Sequence, residues 1–404
     1  MNLPPGEHLS KNVELVAYHD LEGRPGFKMG LAEVGGRWFL YLGLLWHRGW
    51  AIVDVTDPTT PRYLRWISGP ANTWTIQVQV AAGTMVTALE KIDHGWGERP
   101  DEPFEEGLIV WDLSDPEQPT PLGRFVTGGN GTHRNFYAGG PLVHLASLPD
   151  GFQGHIYQVV DLSNPARPVE VGRWWLPGQW VGGGEEGVAE GTGLHAPYVV
   201  GDRAYLAYGA AGLVILEISD PARPLLVARL PLAPPFNPVI AAHTAMPLPA
   251  RQLLAMNSEA IEEDCDEPLG FAGLVDIRNE DRPRLISMFP IPEPPRQKPY
   301  RNFCHHGGRF GPHNLHQGQG NPALLQRDDV VFLTYFNAGL RIYDISDPRL
   351  PREVAYFLPP DPVRRRGVLP RSLAAQSEDV LVDSRGYIYL TDKNHGLYVL
   401  RQTG

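Results

Sequence analysis

GLRIYDISDPRLPREVAYF spans residues 339–357. A short apolar strand runs into Asp344, a Ser346-Asp347-Pro348 corner follows, then Pro351, and a second strand leaves. Asp and Ser side chains bond the backbone just ahead of them and proline presets φ, so the stretch reads as strand, tight turn, strand. Five other stretches read the same way: GWAIVDVTDPTTPRYLRWI (49–67), GLIVWDLSDPEQPTPLGRFV (107–126), IYQVVDLSNPARPVEVGRWW (156–175), GLVILEISDPARPLLVARL (212–230) and GLVDIRNEDRPRLISMF (273–289). Their acidic anchors are Asp54, Asp112, Asp161, Glu217, Asp276 and Asp344; first to last is 290 residues over five intervals, a mean of 58.

Upstream of each stretch lies another alternating strand pair, for example HAPYVVGDRAYLAYG (195–209). Each repeat therefore holds four strands, and four-stranded units at this period are the sequence sign of a β-propeller. The chain finishes with YIYLTDKNHGLYVLRQTG, before any Asp-Pro turn, and NVELVAYHDL (12–21) looks like the strand that follows that turn elsewhere. The expectation is an all-β, seven-bladed β-propeller occupying 1–404 as one domain, its last blade closed by the N-terminal strand.

Composition narrows the function classes. Of 404 residues, 44 are glycine and 40 proline, which suits many short elements joined by turns. The net charge of −11 argues against nucleic acid and anionic membranes as partners, since both need basic patches. No apolar run reaches about 18 residues, and MNLPPGEHLSKNVELV lacks a charged-then-apolar leader, so the expectation is a cytoplasmic protein without a membrane span. Two cysteines, Cys265 and Cys304, imply neither a disulfide framework nor a Cys-rich zinc module. Oligomeric state is not legible.

In a propeller, the Asp-Pro turns fall on one face, between the third and fourth strands of each blade. They are short and regular, which marks a structural device. The irregular insertions fall on the other face: 91–106, 176–194, 258–271, 291–312 and 359–377. Long loops in a compact fold are usually functional, so a pocket is expected at that mouth of the channel.

Aligning the starts of the innermost strands places His133 (HRNFYAG), His195 (HAPYVVG), His243 (HTAMPL) and His313 (HNLHQGQG) in one slot of four consecutive blades. Gln77 and Met29 take that slot in two others, and Glu378 or Asp379 lies near it in the last. Such positions converge on the axis. Four protonated imidazoles there would repel one another; a bound cation removes that problem, and imidazole ligates Fe, Cu, Zn, Ni and Mn. The competing reading is a structural histidine copied through the repeat.

Around that predicted metal set, Glu185, Glu186, Glu190, Glu259, Glu262 and Glu378 are candidates to hold the second ring nitrogen of a ligand. His305, His306 and His316 are candidates for acid/base or substrate contacts, and Arg134, Tyr300 and Arg301 for an anionic substrate group. Cys304 beside two histidines raises a soft-metal alternative. His19, His47, His94, His144, His155 and His395 read as peripheral or structural.

Strands such as GLVIL and GLRIYDISDP resemble the LVIVD-repeat family of propellers, a likeness that covers nearly the whole chain and implies the architecture. FLTYFNAGLRIYDISDPRLPREV also looks like one blade of the selenium-binding/methanethiol oxidase proteins, which are metal-dependent. The four-histidine set is similar to that of the carotenoid-cleavage oxygenases, where blade histidines hold iron with carboxylates behind them; this implies ligand roles for His133, His195, His243 and His313. Oligogalacturonate lyases offer a second likeness, a propeller with a His-and-Gln manganese site, for which Gln77 and the arginines would suit.

No nucleophile elbow, P-loop or dinucleotide glycine pattern is present. The reading is therefore a metal-dependent enzyme on a small organic substrate, foremost an oxygenase or oxidase with iron, with Mn, Cu or Zn as alternatives. The runner-up is a metal-dependent lyase or isomerase acting on a carboxylate-bearing substrate. A non-catalytic interaction propeller is the third reading. An aromatic-lined channel would favour the first, arginine contacts the second, and a flat hydrophobic top the third.

Overall fold

The computed structural model describes residues 6–268 and 270–404. The chain is all-β, with a few single-turn 3-10 segments, and its sheets are arranged as a β-propeller. No helix among the described residues is long and apolar enough to cross a membrane.

Within the first sheet, Gly26–Val34, Arg37–Leu44, Gly49–Asp54 and Arg62–Ser68 pair in sequence order. The innermost strand is buried over most of its length, whereas the outermost has no buried residue. Similar four-stranded sheets are built from 196–230 and 240–288. Strands 73–125 and 131–174 form one nine-stranded sheet, but only a single residue pair, Gly131 with Glu90, joins its two halves.

The repeated corner is two consecutive Asx-type turns. Asp344 accepts from the Ser346 N–H at 2.8 Å, and Asp347 accepts from the Arg349 N–H at 2.9 Å. Asp112 and Asp115 do the same for Ser114 and Glu117, both at 3.0 Å. Every anchor also follows a register shift against the outer strand: Ile52/Val53, Val110/Trp111, Val159/Val160, Ile215/Leu216, Leu274/Val275 and Ile342/Tyr343. A bulge bends and twists the strand it interrupts, so the outer edge of each sheet coils at the same place. The glycine that opens the motif is sterically required. Gly339 has φ +75°, and a Cβ there would stand 2.2 Å from the Phe357 carbonyl oxygen.

N-terminal strands serve the C-terminal sheets. Val13–His19 pairs antiparallel with Leu397–Gln402, taking the place that Arg352–Leu358 takes beside Leu340–Asp344. Beyond that expected strand, Leu9–Lys11 pairs with Arg352–Leu358 as a further outer strand. Apolar residues of the first and last sheets, including Leu40, Val53, Tyr389 and Val399, share one core cluster.

In one sheet the innermost strand is replaced by irregular chain. Residues 313–316 still bond to Val330–Thr334, through the single bridge Leu315–Leu333, and residues 317–326 then leave that sheet and cross the hub. Asn321 Nδ2 donates to the carbonyls of Leu31 (2.8 Å) and Val80 (3.0 Å), Gln317 Nε2 donates to Tyr198 Oη (2.6 Å), and the Leu325 N–H donates to the Val382 carbonyl. One segment thus ties four other strands together at the far end of the innermost strands. It acts as a plug.

His316 anchors this plug, which corrects its reading as an acid/base candidate. Its Nε2–H donates to the Leu325 carbonyl at 2.9 Å, and its Nδ1 accepts from the Val382 N–H at 3.0 Å. Burial draws its pKa down to about 4, so it stays a neutral clamp with neither nitrogen free.

Cys265 and Cys304 also require correction. They form a disulfide with Cα atoms 5.4 Å apart, which joins insertion 258–271 to insertion 291–312 and removes the soft-metal alternative. Disulfides are rare in reducing cytosol, so the bonded pair weighs against the cytoplasmic expectation.

Candidate metal centre

The four slot histidines meet at the near end of the hub. Successive ring centroids are 4.4 Å (His133–His195), 4.1 Å (His195–His243) and 5.0 Å (His243–His313) apart. His133 Nε2 and His195 Nε2 are 2.9 Å apart. Glu259 sits among them: its Oε2 lies 3.6 Å from His195 Nε2 and 3.4 Å from His243 Nε2, and its Oε1 lies 3.5 Å from His313 Nε2. His195, His243 and Glu259 meet as one candidate ligand group.

Local backbone irregularity aims these side chains. The innermost pairings shift register at Gly26/Met29, Thr132/Arg134, Ile240/Thr244 and Ser377/Val380. Those shifts bracket Lys28, His133, His243 and the Glu378-Asp379 pair. A regular strand sends neighbours to opposite faces; a bulge lets consecutive residues such as His133 and Arg134 both reach the hub.

Behind the imidazoles stand carboxylates. Since a carboxylate only accepts, His133 Nδ1–H donates to Glu90 Oε2 (2.7 Å) and His155 Nε2–H to Glu90 Oε1 (2.8 Å). Glu378 Oε2 lies 3.3 Å from His313 Nδ1. With its Nδ1 proton held by Glu90, His133 turns Nε2 toward the centre. Burial would raise Glu90, but His133 and His155 outweigh it and bring its pKa down to about 2. His195, His243 and His313 are held well below the ordinary imidazole value, first by burial and then by neighbouring positive charge. They are neutral donors.

Further buried ion pairs surround the cluster. Arg309 Nη2 donates to Glu259 Oε1 at 2.6 Å, Lys393 Nζ lies 3.0 Å from Glu378 Oε1, and Lys28 Nζ donates to Asp379 Oδ1 at 2.6 Å. A cavity of about 220 Å³ opens above the histidines, walled by Phe27, Trp74, Ile76, Trp96 and Ile261, with Gln77, Arg134 and Arg309 among its polar residues.

The other residues singled out from sequence lie elsewhere. His306 Nε2 donates to Asp361 at 2.9 Å and its ring stacks on Tyr300 at 4.5 Å; neither lines the cavity, and His305 and Arg301 are exposed. The reason is that insertion 291–312 runs outward until Arg309 turns it into the hub. Glu185, Glu186, Glu190 and Glu262 are also exposed. His155, read as peripheral or structural, is a partner of Glu90. Glu90, Arg309 and Lys393 were missed. For Glu90 a signal existed: like Glu259, it stands where the second strand of its sheet runs into a long insertion.

A family model for the LVIVD repeat matches residues 152–175 and 198–230. The chain is a β-propeller carrying LVIVD repeats. Several solved structures resemble this chain over nearly its whole length. The Cps50 (Swd1) β-propeller domain of Myceliophteria thermophila is 14% identical with a TM-score of 0.55, covering 94% of this chain and 98% of that one. The computationally designed Ika8 protein is 9% identical with a TM-score of 0.51, covering 96% and 99%. A protein from Lactobacillus plantarum is 12% identical with a TM-score of 0.51, covering 90% and 94%. At these identities the likeness is one of fold. Among curated protein sequences, none matches this chain.

Proposed function

We propose that this chain is a metal-dependent enzyme whose centre is held by His133, His195, His243 and His313 with Glu259, on a single propeller domain of residues 1–404. The reading of seven blades, the last completed by Val13–His19, is supported by the single pair that joins the two halves of the nine-stranded sheet.

The observation that carries the reading is the donor set. Ligands bound at 2.0–2.2 Å and subtending roughly 90–115° stand about 3.0–3.6 Å apart, close to the 3.4 and 3.6 Å that separate Glu259 from His243 and His195, the group that already meets; His133, 2.9 Å from His195, and His313, 3.5 Å from Glu259, are the outer donors. Three imidazoles held neutral by burial, with a fourth, His133, fixed from behind by Glu90, suit a divalent transition ion, iron foremost, with Mn, Cu or Zn as alternatives. Such an ion supplies a redox or Lewis-acid centre at the floor of the cavity. The chain's own residues then do the rest: Trp74, Trp96 and Phe27 exclude water and accept a small, mainly apolar substrate, and Glu90 fixes His133.

The aromatic wall favours an oxygenase or oxidase. Arg134 and Arg309 in the same wall favour the second reading, a lyase or isomerase. The metal-free reading is a non-catalytic propeller in which His133 donates to His195 as part of a polar core.

Elemental analysis of protein purified without a histidine tag tests this. Near-stoichiometric metal, lost on substitution of His243, supports the centre; metal-free protein that keeps its fold refutes it. Oxygen-dependent change in the optical or paramagnetic spectrum then separates the redox reading from the Lewis-acid one.

A further inference from the structure

Among the buried cations of the hub, Arg134 stands apart. Lys28 has Asp379, Lys393 has Glu378 and Arg309 has Glu259. Arg134, only 4% exposed, touches no carboxylate. Its Nη2 donates to Asn314 Oδ1 at 3.1 Å and lies 3.4 Å from His243 Nε2, while Nε and Nη1 have no hydrogen-bond partner among the described residues. Gln77, 3% exposed, leaves its Nε2 equally without a partner, and both side chains line the cavity above the histidines.

A buried guanidinium with idle donors is costly unless something answers its charge. Both orphaned groups are donors, so the absent partner is an acceptor. The guanidinium fork matches a planar oxyanion. Glu259, one carboxylate in the wall, is already engaged by Arg309. Asp93, the other, has Glu90, His133, His155 and Glu98 as its charged neighbours. The remaining wall is aromatic and aliphatic, which suits an apolar body on the same molecule.

We propose that the cavity binds a small monocarboxylate with an apolar body, its carboxylate held by Arg134 Nε and Nη1 with Gln77 Nε2 and its body against Trp74 and Trp96. This names the substrate class of the site proposed above and rests on that reading for its chemistry, though not for its binding.

Benzoate and its neutral counterpart benzyl alcohol are the probes, titrated by calorimetry and by quenching of tryptophan fluorescence. Wild-type protein is expected to bind benzoate at least tenfold more tightly than benzyl alcohol. Arg134→Gln is expected to abolish that preference while its circular dichroism and metal content match wild type and its thermal midpoint is no lower. Should Arg134→Gln misfold, Gln77→Leu is the second variant, expected to weaken benzoate severalfold and leave benzyl alcohol unchanged. Absence of benzoate binding, equal affinity for the two probes, or a preference that survives in folded Arg134→Gln overturns the proposal, as does unchanged benzoate affinity in Gln77→Leu. The titrations are repeated after chelation. A preference that persists without metal and depends on Arg134 upholds the anchor even if elemental analysis refutes the centre.

Discussion

His133 and His195, 62 residues apart in sequence, bring their Nε2 atoms to 2.9 Å. Two imidazolium rings do not tolerate that approach at this burial. One lone pair at least faces the other ring, and the nearby His243 and Glu259 add two more donors.

Removing a central donor is expected to empty the site. His243, fully buried and 3.4 Å from Glu259, is the most informative position. His243→Ala should reduce bound metal to below a tenth of wild type, read by mass spectrometry of metals. Circular dichroism should remain that of the native propeller, because the surrounding sheets keep their cores.

Glu90 acts one step back, through His133 and His155. Glu90→Gln keeps the size and can still accept, but it lacks the charge that fixes the His133 tautomer. Metal affinity should fall by about 10–100-fold, measured by competition with a chromophoric chelator. Unchanged affinity would make Glu90 a purely structural partner.

Acid should destabilise the fold partly through His144, a site remote from the hub cluster. It is buried, its Nδ1 lies 2.7 Å from Tyr157 Oη, and burial draws its pKa down to about 4. The unfolded value is about 6.5, so between these values the unfolded state holds the extra proton and stability falls as pH drops. The loss by pH 4.5 is about 2–3 kcal/mol from this residue. His144→Gln should be less stable than wild type at pH 7, yet lose about that much less on going to pH 4.5, read by urea unfolding.

Opening the Cys265–Cys304 bond should loosen the two insertions that carry Glu259 and Arg309 toward each other. Their sequence separation is 39 residues, and a loop of that size corresponds to about 2–4 kcal/mol of stabilisation. The double variant Cys265→Ser, Cys304→Ser should show a lower thermal midpoint. Reductant should lower the midpoint of wild type and leave that of the variant unmoved.

The architecture was legible because its cause is local. Asp344 and Asp347 make their turn with residues two positions away, and that chemistry repeats six times. The slot histidines were legible because the repeat aligns them. Arg309 was not, since it reaches Glu259 across 50 residues through an insertion of no regular pattern. Nor was the exclusion of His305, His306, Tyr300 and Arg301, because adjacency in sequence to His313 says nothing about which way an insertion turns. The paired hub residues Glu378 and Asp379 depend on a bulge, which strict alternation hides. The disulfide joins two insertions whose approach only the folded chain reveals.

If the strap carrying Asn321, tied to Leu31 and Val80, closes its end of the hub, the cavity walled by Trp74 and Trp96 is the doorway to the proposed centre. Arrival and departure must share one aperture, so a spent molecule has to vacate before the next can enter. Anything lodged at the rim, near Trp96, would block both directions at once.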